Sequence, residues 1–234
     1  YEMHVKSMSK LHPDVPEKEQ GTYVGAVHPA ILEHLHNLGV TTIQLMPVMA
    51  FMPEPFITEK GLTNYWGYNP ASLLAPEPRY AQSDAHEEMQ LLVQEYHKAG
   101  FEVILDVVFN HTAESGPDGP IINLRAMCEN EAYTRVGKDN YYANYSGCGN
   151  SLNIDSPFIL TLVLEAMRHW VLIYGVDGFR FDLATGLGRE PHAYSKKAAF
   201  FKAVEQDPIL RDCYMLAEPW DLGDYGYQLG QFPE

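Results

Sequence analysis

The chain has 234 residues, 46% of them hydrophobic and 20% charged, the balance of a folded globular protein with length for a sizeable core. Its 16 Lys and Arg against 31 Asp and Glu give a net charge of −15, which repels a phosphate backbone and disfavours acidic substrates, so no nucleic acid is expected, while a neutral ligand meets no such field. Cys128, Cys148 and Cys213 form neither a disulfide scaffold nor a zinc pattern and point to a cytoplasmic chain; no apolar run approaches the roughly 20 residues of a bilayer crossing, no signal peptide is visible, and no membrane partner is expected.

In chain order, residues 1–5 read as an opening strand. Pro29 suits a first helical position, Ile31, Leu32, Leu35 and Leu38 follow at helical spacing, Gly39 ends the helix, and residues 40–45 read as a strand. A long connection rich in Pro and aromatics covers about residues 50–79. Asp84 and Glu87 predict a capping box, Met89, Leu92, Val93 and Tyr96 a buried stripe, and residues 101–108 a buried strand after Gly100. A second long connection, rich in Gly, Asn and Tyr, covers 111–155. Ser156-Pro157 opens a helix that runs to Gly175, and residues 176–182 follow as a strand. A weaker helix at about 192–204 precedes a strand at 213–218.

Strands apolar on both faces, alternating with helices, imply a parallel sheet covered by helices. The α/β class then offers a (β/α)8 TIM-type barrel or an open doubly wound sheet. No strand is followed by the glycine-rich turn that cradles phosphate, which favours the barrel over a dinucleotide fold. Polar residues at the strand ends, Asp106, Asp182 and Glu218, suit the active face of a barrel. The chain is read as one domain, 1–234: a partial catalytic barrel with its two long loops over that face.

Three strand-end signatures carry the chemistry: Asp106-Val-Val-Phe-Asn-His111, Gly178-Phe-Arg-Phe-Asp182 and Ala217-Glu-Pro-Trp-Asp221. Cleavage of a glycoside with retention needs two carboxyl groups about 5–5.5 Å apart. Asp182 and Glu218, at the same end of neighbouring predicted strands, can converge to supply them. Arg180, two residues before Asp182, faces the same side of the strand, where a guanidinium would keep Asp182 ionised. The Pro-Trp pair after Glu218 could enclose that carboxyl in apolar surface and raise its pKa, as an acid catalyst requires.

Together the signatures resemble the first three sequence regions of the alpha-amylase family, glycoside hydrolase family 13. Asn64-Tyr-Trp-Gly-Tyr-Asn-Pro70, Gly147-Cys-Gly-Asn-Ser-Leu-Asn153 and Ala217-Glu-Pro-Trp-Asp221 look most like its glycogen debranching enzymes and isoamylases. The resemblance implies a retaining glycoside hydrolase acting on α-glucans, hydrolysing α-1,6 branch points of glycogen or limit dextrin. The alternatives are α-1,4 cleavage and a non-catalytic glucan-binding remnant. It implies Asp182 as nucleophile, Glu218 as general acid/base, His111 as donor to a glucose hydroxyl, Asp106 as a brace and Tyr68 as the ring that stacks on the sugar. Trp220 and Asp221 are further candidates for substrate contact. No cofactor and no metal ligand are expected; calcium at Asn110, which aligns with a calcium position of many amylases, is the weaker alternative. The family's fourth region, a His-Asp pair, is not found after Glu218, and about five strands are counted of the eight a closed barrel needs. The sequence therefore predicts an incomplete barrel (about strands 1–5), self-association through its exposed edges, and negligible turnover by these 234 residues alone.

Overall fold

A computed structural model of the chain describes residues 1–233. Its centre is a five-stranded sheet of β1 (Glu2–Met3), β2 (Thr42–Leu45), β3 (Glu102–Val107), β4 (Gly178–Phe181) and β5 (Tyr214–Ala217). Every neighbouring pair is parallel and the spatial order follows the chain order. An order that never reverses is that of a barrel arc; a doubly wound sheet would switch direction. The structure is thus a partial (β/α) barrel.

Helices α1 (Pro29–Asn37), α2 (Ala85–Lys98), α3 (Pro157–His169) and α4 (Ala199–Gln206) connect or flank these strands. In β3 all residues from Val103 to Val107 are buried, because helices cover one face and the barrel interior the other. Met89, Leu92, Val93 and Tyr96 of α2 are buried, as are Ile159, Val163 and Met167 of α3. Beyond α3 a π-helical turn, Trp170–Tyr174, ends at Gly175 in the left-handed region. Trp170, fully buried, donates from Nε1 to the Leu73 carbonyl at 2.9 Å and so ties the helix to the first long loop. The span Pro157–Tyr174 has length and mean hydropathy (1.3) enough for a membrane crossing, but its apolar stripe packs into this core.

Several predicted boundaries move. The opening strand is two residues long, and short helices at Val5–Ser9 and Tyr23–Ala26 occupy the segment after it. Asp84 does cap α2, accepting the Glu87 N–H at 2.9 Å. The reciprocal arm comes from Glu88, which accepts from the N–H groups of Gln82 and Ser83 at 2.9 and 2.8 Å. The weak helix begins only at Ala199, because Arg189–Glu190 and Ala193–Tyr194 pair as a small hairpin. The second long loop contains a kinked helix, Leu124–Ala132, and a ladder between Arg135–Val136 and Tyr141–Tyr142. Its anchor is Glu114, 1% exposed, whose carboxylate accepts from the N–H groups of Ile122 and Asn123 at 2.7 and 2.9 Å and from the Tyr133 hydroxyl at 2.5 Å.

Asp207 joins α3 to the turn after α4. Its carboxylate accepts the Arg168 Nε–H at 2.7 Å and the N–H groups of Ile209 and Leu210 at 2.9 and 3.0 Å. Burial works against the charge, but these donors outweigh it and hold the carboxyl below its ordinary value of 3.8. Its stabilising share is therefore complete above that value and is lost as pH falls through it. Asp207→Ala is expected to lower the unfolding free energy by about 2–3 kcal/mol at pH 7. In urea melts across pH the gap to wild type should shrink below about pH 4; an equal gap at pH 7 and pH 3 would contradict this account.

Candidate active site

The strand register assembles the site. Asp106 of β3 stands opposite Arg180 of β4, and one step on, Val107, Phe181 and Ala217 lie abreast. Asp182 and Glu218 extend this ladder past the strand ends: the Asp182 N–H donates to the Val107 carbonyl and the Glu218 N–H to the Phe181 carbonyl, each at 3.1 Å. Alternation along β4 then puts Arg180 and Asp182 on one side of the sheet.

One guanidinium gathers three carboxylates. Arg180 Nη1 donates to both oxygens of Asp106 at 2.8 and 2.9 Å and lies 3.7 Å from Asp182 Oδ1, while Nη2 lies 3.0 Å from Glu218 Oε1. Side-chain exposure rises from 0% at Asp106 through 13% at Asp182 to 23% at Glu218, so the cluster opens toward the last two. Burial opposes the charge on Arg180, but Asp106 and Glu218 outweigh it and keep the cation firmly protonated.

The acids differ from the sequence expectation. Burial, with the charges of Asp106 and Glu218, pushes the Asp182 carboxyl up to about 7, although Asn110 and Arg180 pull it down. Arg180 does not dominate Asp182 because its closest partner is Asp106. Asp106 itself is pushed up to about 6 by burial, against Arg180 and the Tyr68 hydroxyl. Glu218 is not enclosed by the Pro-Trp segment: its partners are Arg180 and the Leu183 N–H, which donates to Oε2 at 2.8 Å, and Trp220 is 39% exposed.

The backbone next to Asp182 is shaped for that contact. Leu183 adopts φ 43°, ψ 51°, a left-handed conformation that costs a non-glycine residue about 1–2 kcal/mol. The turn lets Leu183 reach the Glu218 side chain and the Ala184 N–H reach the Glu218 carbonyl at 3.0 Å. Strain of this kind collects where geometry serves function.

Around the acids lies a second layer of contacts. The Tyr68 hydroxyl donates to Asp106 Oδ2 at 2.6 Å, and burial holds its phenol well above the usual range. Gly67 just before it has φ +93°, and a side chain there would meet the Pro47 carbonyl at 3.0 Å and the Phe51 ring at 3.2 Å. His111 is 1% exposed; its Nδ1 lies 2.6 Å from Asn110 Oδ1 and its Nε2 2.9 Å from the Tyr68 carbonyl, two acceptors of which a neutral ring donates to one. Burial pushes it down to about 4, so it is neutral at pH 7. It braces the wall where an open sugar donor was expected. Asn110 donates from Nδ2 to Asp182 Oδ2 at 2.7 Å and to the Asp182 carbonyl at 2.8 Å. Its amide oxygen lies against the His111 ring.

Asp221 is 6% exposed and held bidentate by Arg189, Nε and Nη2 each 2.7 Å from a carboxylate oxygen. It is a fastener between loops and is not free for the substrate contact expected of it. Arg189 lies outside every signature, and no local signal in the sequence marks it. Asn110 stands in the first signature, beside His111, and that place is the sequence signal for its contact with Asp182.

Fold and cluster together define a partial (β/α) barrel with an ionisable centre at the C-terminal ends of its strands. Residues 14–117 match the family described as alpha amylase, catalytic domain. The whole chain aligns at 46% identity with a glycogen operon protein GlgX homolog of Mycobacterium bovis and with a glycogen debranching enzyme of Escherichia fergusonii, spanning 33% and 35% of their lengths. Among solved structures, a pullulanase of Paenibacillus barengoltzii in complex with maltohexaose and alpha-cyclodextrin superposes with TM-score 0.75 at 28% identity, over 94% of this chain and 34% of that one. The pullulanase of Bacillus acidopullulyticus gives 0.76 at 29%, over 95% and 27%. The chain is thus similar to members of the alpha-amylase family and spans about a third of the length of the relatives it matches.

The raised Asp182 carboxyl has a consequence for stability. Between its ordinary 3.8 and about 7 the unfolded chain loses this proton and the folded chain keeps it, so this group's share of stability falls as pH rises through that window. Asp182→Asn removes the charge and should stabilise the fold by about 1–3 kcal/mol at pH 8. The gain should be much smaller at pH 4.5. Thermal melts of the two proteins at both pH values test it, and a variant no more stable than wild type at pH 8 would refute it.

Proposed function

We propose that these residues form part of the catalytic barrel of a retaining glycoside hydrolase that cleaves α-1,6 branch points of glycogen or a related branched α-glucan. The observation that carries this reading is the convergence of Asp182 and Glu218 on one guanidinium at the strand ends. The names of the relatives, glycogen debranching enzyme and pullulanase, support the α-1,6 bond. The net charge of −15 suits a neutral polysaccharide.

In this reading ionised Asp182 attacks the anomeric carbon while Glu218 gives its proton to the departing glycosidic oxygen. The C–O bond to the leaving sugar breaks and an ester to Asp182 forms. Glu218, now a carboxylate, takes a proton from water, the resulting hydroxide attacks the same carbon, and Asp182 leaves ionised. The configuration inverts twice and is retained. Asp106 and Arg180 hold the two acids, and the ring of Tyr68, fixed by its bond to Asp106, offers a face for the pyranose. All the proton transfers use these side chains and water, so the reaction requires no cofactor or metal. The three unpaired thiols suit a cytoplasmic site of action.

The test uses the longest natural polypeptide that carries these residues. Release of maltotriose from pullulan, debranching of limit dextrin and no cleavage of amylose are expected. Asp182→Asn and Glu218→Gln should each lower kcat by at least about 1,000-fold, and dialysis against EDTA should leave the rate unchanged. With azide, Glu218→Ala should yield the α-glycosyl azide and Asp182→Ala the β-anomer, because only the former still passes through the ester. Amylose cleavage would move the reading to α-1,4 bonds, and full activity of both acid variants would end it.

The outer strand supports self-association as well. Tyr214, Met215 and Leu216 of β5 are 51%, 37% and 39% exposed along a sheet edge, a surface suited to pairing with another chain. Sedimentation of the 234 residues at micromolar concentration should give species larger than a monomer; a clean monomer would contradict this.

A further inference from the structure

His4 directly follows β1 at the same end of the sheet as the acids, yet none of its hydrogen bonds reaches an acid. It is 6% exposed and lies outside the three signatures. Its Nε2 lies 2.7 Å from the carbonyl of Tyr65, and its ring stacks on the Tyr65 ring with centroids 4.5 Å apart and planes 13° apart. Three residues on, the Tyr68 hydroxyl donates to Asp106 at 2.6 Å. We infer that His4 is a positioning residue of the catalytic wall: it fixes the segment Tyr65–Tyr68 so that the Tyr68 hydroxyl meets Asp106. The inference rests on the proposed hydrolase activity and adds to it a residue that acts through Tyr68.

The surroundings of His4 set its tautomer. Lys6 and Ser7 lie in the first turn of the short helix Val5–Ser9, and their N–H groups point at Nδ1 from 3.1 and 3.2 Å. Both are donors, so Nδ1 is the unprotonated, accepting nitrogen and the ring proton sits on Nε2. Nε2–H then donates to the Tyr65 carbonyl, with the Tyr80 hydroxyl oxygen 3.0 Å away as a second neighbour. A protonated ring would set a third N–H against the two of the helix. Burial holds the pKa of His4 below its ordinary 6.5, against the pull of the Tyr65 carbonyl, and the charge of Lys6 adds to the effect. One ring thus caps a helix with one nitrogen and holds a loop with the other.

The segment that His4 holds is specified along its length. The Gly67 N–H donates to Asn64 Oδ1 at 2.8 Å, and Asn64 Nδ2 donates to both oxygens of Glu54 at 3.0 Å. His111 stands against the far end, its Nε2 2.9 Å from the Tyr68 carbonyl. The Tyr65 hydroxyl lies 2.8 Å from Ser7 Oγ, a second tie to the helix that His4 caps. Tyr65 and Trp66 are 43% and 63% exposed, so burial does little to hold this stretch and the bonds along it carry the placement. A displacement at Tyr65 therefore passes to Tyr68 through a turn with little freedom to absorb it.

The bond at the end of this line of contacts bears on the acids. Arg180 and the Tyr68 hydroxyl both donate to Asp106, and both pull its carboxyl down against burial. If Tyr68 drifts, Asp106 loses one donor and draws more on Arg180, which Asp182 and Glu218 share. An effect on turnover is therefore expected from a side chain that touches no acid.

Two substitutions separate the two nitrogens. Asparagine sets an amide oxygen near the place of Nδ1 and keeps the helix cap, but is too short to reach Tyr65. Glutamine sets an amide N–H near the place of Nε2 and gives up the cap. In the longest natural polypeptide that carries these residues, His4→Asn should lower kcat on a branched α-glucan about tenfold with little change in melting temperature. His4→Gln should recover most of that kcat while melting a few degrees lower. In a Tyr68→Phe background, which has no hydroxyl to position, His4→Asn should cost about twofold or less. If the glutamine variant does not fold, the asparagine arm and the double-mutant cycle still decide. Three results would overturn the positioning role and leave the hydrolase reading standing: an unchanged kcat in His4→Asn, an equal loss in both Tyr68 backgrounds, or losses that follow melting temperature across the two variants. A wild type that hydrolyses no α-glucan would overturn the hydrolase reading and this inference with it.

Discussion

Asp106, Asp182 and Glu218 would repel one another at the spacing the strands impose, and burial would add to the cost of keeping any of them charged. Arg180 makes the arrangement tenable by touching all three. A single positive charge cannot neutralise three negative ones, so the cluster resists full ionisation, and Asp106 and Asp182 are pushed up to about 6 and 7. The proposed double displacement asks for Asp182 ionised, so substrate binding has to take the proton that burial and its neighbours favour on that carboxyl.

The backbone does the placing. Parallel register brings Asp106 and Arg180 side by side, and the ladder continues one residue past the strands to set Asp182 and Glu218. From there Leu183 leaves in a strained turn that aims its N–H at Glu218. Tyr68, reaching in from the first long loop, and His111, fixed against its backbone, then close the wall around Asp106 and Asn110. The long loops are therefore part of the site, and Glu114 and Trp170 tie them to the barrel so that the wall does not drift.

Five strands, four helices and the gathering of Asp106, Arg180, Asp182 and Glu218 were legible in the sequence, because period, glycine stops and strand-end acids are local signals. Less legible was what depends on partners distant along the chain. His111 reads as a free loop histidine until its contacts with Asn110 and the Tyr68 carbonyl are seen. Asp221 follows the acid in sequence, yet Arg189, 32 residues earlier, claims it. The helix at Leu124–Ala132 has a weak stripe and a kink at Cys128, and its start is held by Glu114 from ten residues upstream. The direction of the Asp182 shift is hidden in the sequence for the same reason: two residues suggest an ion pair, but the nearer acid across the sheet takes the arginine first.

The two arginines of this face, Arg180 and Arg189, show how one interaction serves opposite ends. Arg189 meets a single carboxylate in a bidentate pair, with Tyr145 over the cation and backbone carbonyls on its remaining donors. Charge and hydrogen bonds are balanced there, which gives rigidity and leaves nothing to react. Arg180 meets three carboxylates and satisfies none of them completely. The surplus negative charge raises the free energy of the folded state and favours a proton on the buried aspartates. On this face the ratio of acids to guanidinium separates the reactive centre from the wall beside it, and the fold sets that ratio by which strand ends and loops it brings abreast.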